Sequence, residues 1–127
     1  MNRVLIVEDD DAVALILEKR MQQRKFTTIR AHDAKQAVEM FRNHPDIVLV
    51  LSDYDMGGIH LNGDALYDAI REDLKSREIP FVVISAVQPQ IVAEKFNAYK
   101  VPIIEKWKLN KEFDLVVSPL LKKPVDA

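Results

Sequence analysis

The chain has 127 residues, 48% of them hydrophobic, which suffices for one domain with a full core and leaves no room for a second. Eighteen basic residues against 20 acidic ones give a net charge of −2, so the overall balance points to neither nucleic acid nor an anionic membrane. The absence of cysteine excludes disulfides, thiolate metal sites and cysteine nucleophiles, and fits a cytoplasmic location.

The opening "MNRVLIVEDD" carries too short an apolar stretch before its acids for a signal peptide or a membrane span. Val4 to Val7 predicts the first strand. Val13, Ile16, Leu17, Arg20 and Met21 then recur at helical spacing up to about Arg24, and Phe26 to Ala31 predicts a second strand. That stretch is only half apolar, as an edge strand would be. Asp33 is placed to cap a helix carrying Ala34, Ala37, Val38 and Phe41, which stops before Pro45. Asp46 to Leu51 predicts a strand buried on both faces. After the glycine-containing loop "MGGIHLNG", a helix presents Leu66, Ile70 and Leu74 on one side, and Pro80 opens the strand "FVVIS". Pro89 suits the first turn of another helix, through about Ala98. Pro102 precedes a short strand, "IIE", and Asn110 is placed to cap a last helix that Pro119 should end or kink. The domain is expected over residues 1–121, with 122–127 a frayed tail or the start of a linker.

Five strands alternating with five helices predict an α/β domain: a doubly wound parallel sheet with helices on both faces, joined by right-handed crossovers. Ligands of such folds sit beyond the carboxyl ends of the strands, where the strand order reverses. The residues closing the runs are Glu8, Asp9 and Asp10 after the first, Asp53 and Asp55 after the third, Ser85 after the fourth and Lys106 after the fifth. The second strand contributes no obvious group. Carboxylates crowded at one mouth repel one another unless a cation sits between them, and oxygen ligands without cysteine or paired histidines point to Mg²⁺. A lysine and a hydroxyl facing that cation supply what phosphoryl oxygens need, and an aspartate among them can act as the nucleophile.

Each residue also has a plainer reading. Asp10 or Asp11 can simply cap the next helix, Ser85 can be the polar end that any strand needs, and Lys106 in "KWK" can be a solvated turn. Asp53 fits the cap reading poorly, because it closes a strand too buried to need a charge and precedes the next helix by about ten residues. His32, His44 and His60 show no ligand spacing, and Tyr54 either packs beside the mouth or closes over it.

Taken together, Glu8 and Asp9 in "VLIVEDD", Asp53 in "LSDYD", Ser85 in "VVISA" and Lys106 in "IIEKW" make the chain resemble a response-regulator receiver domain of two-component signalling over nearly its full length. The resemblance implies a flavodoxin-like sheet of order 2-1-3-4-5, and an Asp53 that takes a phosphoryl group from a histidine kinase or histidine phosphotransfer protein. It implies Mg²⁺ bound directly by Asp9 and Asp53, by the backbone carbonyl of Asp55, and by Glu8 mainly through water. Ser85 and Lys106 would hold phosphoryl oxygens. Such a protein phosphorylates and dephosphorylates itself but is not an enzyme with an external substrate. No effector domain follows in this sequence, so output is expected through a partner protein or a further domain, with no direct nucleic-acid or membrane binding.

The chain departs from the family at three places. Met56-Gly57-Gly58 replaces the usual Met-Pro-Gly in a loop about two residues longer. Ile104 stands where many members carry a mobile Tyr or Phe. Trp107 replaces the proline after the lysine, and because a cis bond before a non-proline residue costs about 2.5–4 kcal/mol, a trans Lys106–Trp107 bond is expected, with the long lysine stem still reaching Asp53. Two rival readings follow: a receiver-like interaction module that no longer switches, and a haloacid-dehalogenase-like phosphatase built on "DYDMG", against which the order of the acids argues.

Overall fold

The structure, a computed structural model, describes residues 2–54, 63–86, 90, 92 and 101–121. Strand β1 (Arg3–Val7) leads into helix α1 (Asp11–Gln23), β2 (Thr27–Ala31), α2 (Ala34–Asn43), β3 (Ile47–Asp53), α3 (Gly63–Ser76), β4 (Phe81–Ser85) and β5 (Ile103–Glu105). A 3₁₀ turn (Lys106–Lys108) then runs into helix α4 (Leu109–Val117), and a second 3₁₀ turn (Ser118–Leu120) follows, so Pro119 lies just past the helix as expected. Of the helix expected after Pro89, only Gln90 and Val92 are described; both are helical, and Val92 is buried. The expected tail lies outside the described residues.

All five strands are parallel, in the order β2-β1-β3-β4-β5. The chain winds outward from β1 to the edge strand β2, then returns past β1 to build β3, β4 and β5, so the order reverses between β1 and β3. Alternating side chains feed two cores. Leu5, Val7, Val50, Phe81 and Val83 pack under α2 and α3, whereas Val4, Ile6, Leu49, Leu51, Val82, Ile84 and Ile104 pack under α1 and α4. A register shift between Arg3 and Val4, which pair with Ile47 and Leu49, leaves Val48 as one extra residue and resets the alternation of β3.

Local chemistry explains the element ends, with corrections to the expected ones. Asp10 and Asp33 are N-caps whose carboxylates accept backbone N–H groups of the first turn. Helix α1 ends in a Schellman pattern: the N–H of Phe26 donates to Met21 O (3.2 Å), that of Lys25 donates to Gln22 O (3.0 Å), and Lys25 sits at φ 71°. Its buried face is Ala14, Leu17 and Met21, while Ile16 is turned outward at 39% exposure beside Leu15. Asn110 caps nothing, because the 3₁₀ turn starts the helix early; its Oδ1 accepts from Arg20 Nη2 at 2.8 Å, and the Arg20 guanidinium lies over the Phe113 ring. Strand β3 runs two residues beyond the expected Leu51, through Ser52 and Asp53, both buried.

Candidate functional site

The backbone of Glu8 is pinned by one more ladder bond, its N–H donating to Ala31 O at 3.0 Å beyond the end of β1. The acidic run then divides its labour. Asp10 turns away to cap α1, and Asp11 pairs with Arg30. Glu8 is wholly buried and Asp9 exposed, yet each offers a carboxylate oxygen to a cluster completed by Asp53, all three oxygens lying within 4.8 Å of one another.

Asp53 is the last residue of β3, pairs with Ile84 of β4, and is 3% exposed. Its backbone is fixed on both sides: Ser52 Oγ donates to its carbonyl (2.9 Å), and the following N–H, of Tyr54, donates to Ile84 O (2.9 Å). Tyr54 itself is buried in the α2/α3 core rather than closing over the mouth. Ser85, fully buried, ends β4 one residue past the partner of Asp53. Lys106 opens the 3₁₀ turn after β5, and its Nζ lies 3.3 Å from Asp53 Oδ2 and 3.6 Å from Glu8 Oε1. Among the described residues no peptide bond is cis, so the lysine makes this reach across a trans bond to Trp107.

The electrostatics follow from burial. Desolvation, reinforced by the charge of Asp53, pushes the Glu8 carboxyl up to about 7, against the opposing pull of the Asp10 N–H and Lys106. Asp53 is also raised by burial, with the Lys106 ammonium holding it back. Burial alone would lower Lys106, but Asp53 and Glu8 outweigh it and hold the ammonium above its usual value. Two buried carboxylates and one ammonium therefore share a poorly solvated mouth in which acidic groups outnumber basic ones.

The donor set fits Mg²⁺. It is oxygen only, and Glu8 Oε2 is buried without a hydrogen-bond partner while Asp53 Oδ2 faces only the Lys106 ammonium, which is the state of oxygens aimed at a cation. The expected Asp55 carbonyl lies outside the described residues.

The response regulator receiver domain model matches residues 4–117. The chain belongs to that family. This receiver domain is 31% identical over 84 residues to the uncharacterized transcriptional regulatory protein YrkP of Bacillus subtilis, a match covering 66% of this chain and 33% of YrkP. It thus spans about a third of that relative's length. Among solved structures it is similar to the Vibrio cholerae chemotaxis protein CheY4 (TM-score 0.80, 16% identity, covering 95% of this chain and 99% of that one). It is similar also to the receiver domain of the histidine kinase CKI1 from Arabidopsis thaliana, solved with Mg²⁺ and BeF₃⁻ (TM-score 0.76, 15% identity, 94% and 89% covered). Phosphoryl acceptance and Mg²⁺ binding are general to receiver domains, which act with histidine kinases and output domains and are not enzymes in the ordinary sense. The phosphatase reading falls with the family match, and the acids sit accordingly: the pair follows β1, and Asp53 ends β3. Among the described residues no helix is long and apolar enough to cross a membrane.

Two expectations need correction. The second strand does contribute a group: Arg30 Nε donates to the Glu8 carbonyl at 3.0 Å and Nη1 to Asp11 Oδ1 at 2.7 Å. Ile104 is not placed like a mobile switch residue, because it is 1% exposed in the α1/α4 core; Ile103, on the other face of β5, is the half-buried one. Trp107 is 77% exposed, with Lys108 Nζ 4.7 Å from its ring.

Proposed function

We propose that this receiver domain takes a phosphoryl group onto Asp53 from a histidine kinase or histidine phosphotransfer protein, with Mg²⁺ held by Glu8, Asp9 and Asp53, and signals through protein contacts. The observation that carries the proposal is the convergence of a buried aspartate, two further carboxylates and one ammonium at the mouth where the strand order reverses.

In the transfer an Asp53 carboxylate oxygen attacks phosphorus, the bond from phosphorus to the donor's imidazole nitrogen breaks, and an acyl phosphate forms. Asp53 must be ionised to attack, and Lys106 at 3.3 Å favours that form. Bound Mg²⁺ supplies positive charge to the phosphoryl oxygens. Lys106 supplies a second, mobile point charge, and Ser85 a hydroxyl donor from the adjoining strand end. Asp9 would be the direct carboxylate ligand beside Asp53, and buried Glu8 would act mainly through water on the cation. The Mg²⁺ and BeF₃⁻ named for the CKI1 receiver support this assignment by analogy of fold. The domain extends over residues 1–121 and works in the cytoplasm. Its output passes to a partner or to a further domain, YrkP being by name a transcriptional regulator about twice as long.

Incubation with acetyl phosphate and Mg²⁺, followed by mass spectrometry, should show one acyl-phosphate adduct on Asp53. Asp53→Asn should abolish it. Full labelling of that variant, or no Mg²⁺-dependent labelling of the wild type, would refute the reading.

A further inference from the structure

We propose that Arg30 is a positioning residue for the Mg²⁺ site, and that its guanidinium sets the cation affinity by holding the acidic loop through the Glu8 carbonyl. The proposal rests on the reading of that mouth as a Mg²⁺ site. Arg30 pairs with Ile6 in the β1/β2 ladder, so its side chain leaves the sheet on the α1 side, directly under the turn from β1 to α1. There Nε donates to Glu8 O at 3.0 Å and Nη1 to Asp11 Oδ1 at 2.7 Å, one grip on the first residue of the turn and one on the first residue of α1. The two grips differ in weight. The Asp11 carboxylate is 89% exposed, and an ion pair so open to water contributes little. The bond to the Glu8 carbonyl is charge-assisted and partly buried, which makes it the stronger constraint.

That bond bears on the peptide joining Glu8 to Asp9, whose orientation decides whether one carboxylate points inward and the next reaches the same mouth. Glu8 has one further local restraint, its Oε1 accepting the Asp10 N–H at 3.1 Å. Without Arg30 the preceding peptide would keep its ladder bond, from the Glu8 N–H to Ala31 O, but the Glu8–Asp9 peptide would lose the clamp on its carbonyl.

A guanidinium near the cluster also repels a cation, so two effects of opposite sign compete. Repulsion through solvent falls off over about 8 Å at physiological salt, whereas a geometric clamp does not depend on salt. We expect the clamp to win, as partners that orient metal ligands commonly change affinity by 10–100-fold.

The test is Mg²⁺ titration by calorimetry of wild type, Arg30→Ala, Arg30→Lys and Asp11→Asn at low and high salt, with urea unfolding of each in parallel. Arg30→Ala should weaken Mg²⁺ binding about tenfold at both salt concentrations, Arg30→Lys should lie in between, and Asp11→Asn should stay within about twofold of wild type. Equal or tighter binding by Arg30→Ala overturns the inference, as does a lowered unfolding midpoint with unchanged affinity. Should Arg30→Ala not fold, Arg30→Lys decides, and wild-type affinity there overturns it. Absence of Mg²⁺ binding by the wild type overturns the site itself, which separates failure of the reading from failure of the clamp.

Discussion

Replacing Glu8 by glutamine should make the metal-free protein more stable at alkaline pH and remove much of its pH dependence. Burial and the charge of Asp53 raise the Glu8 carboxyl from 4.5 to about 7, so the folded protein holds this proton more tightly than the unfolded chain does. Stability drawn from that proton is whole below about pH 4.5 and is lost as the pH rises through about 7. At roughly 1.4 kcal/mol per tenfold change in proton affinity, the loss is on the order of 3 kcal/mol. Glu8 is wholly buried, so solvent screening takes little away. Asp53, also raised, acts in the same direction, while Lys106, raised above 10.5, keeps its contribution throughout this range. Urea unfolding in EDTA between about pH 5 and pH 8.5 measures the effect. The wild type should lose stability on the order of 3 kcal/mol across the series, and Glu8→Gln should match it near pH 5 and exceed it by about 2 kcal/mol at pH 8.5. A wild-type stability that is flat or rises with pH, or a glutamine variant less stable at pH 8.5, would refute the reasoning.

Lys106→Ala leaves Glu8 and Asp53 facing each other without their ammonium, and should cost about 2 kcal/mol at pH 8 in EDTA and much less near pH 5, read from the same unfolding curves. Lys25→Gly should stabilise by about 0.5–1 kcal/mol, since Lys25 holds φ 71° where glycine carries no steric penalty; thermal melting checks it. Trp107→Ala, at a side chain 77% exposed, should leave the unfolding free energy within about 0.5 kcal/mol of wild type.

What could be read from the sequence was whatever has a period or a covalent identity. The apolar run before Asp53 announced a central strand, and Glu8, Asp9, Asp53 and Lys106, from the ends of three runs, meet at one mouth because parallel strands bring their carboxyl ends together. Arg30 escaped notice because its partner is a main-chain carbonyl, which every residue has and no letter marks. Ile16 fits the helical recurrence yet faces outward, because an apolar residue at the flank of a helical stripe shifts its apparent phase, while Ala14, too small to stand out, is the residue that faces the core. Asn110 had the chemistry of a cap, but a 3₁₀ turn had already begun the helix, and turns of that kind have no periodic signature. The extra residue at Val48 is equally silent, since a bulge within an apolar run changes register without changing composition.

Lys106 is the first residue of a 3₁₀ turn that passes without an intervening loop into α4. The ammonium at the mouth and the helix on the flank therefore belong to one stiff rod, with no slack segment to absorb a displacement. Arg20 of α1 and Arg24 at its C-cap grip that rod at Asn110 and Asp114. Mechanically, the site is geared to two helices at once: a pull on the lysine is a pull on α4, and α1 is coupled to the same shaft.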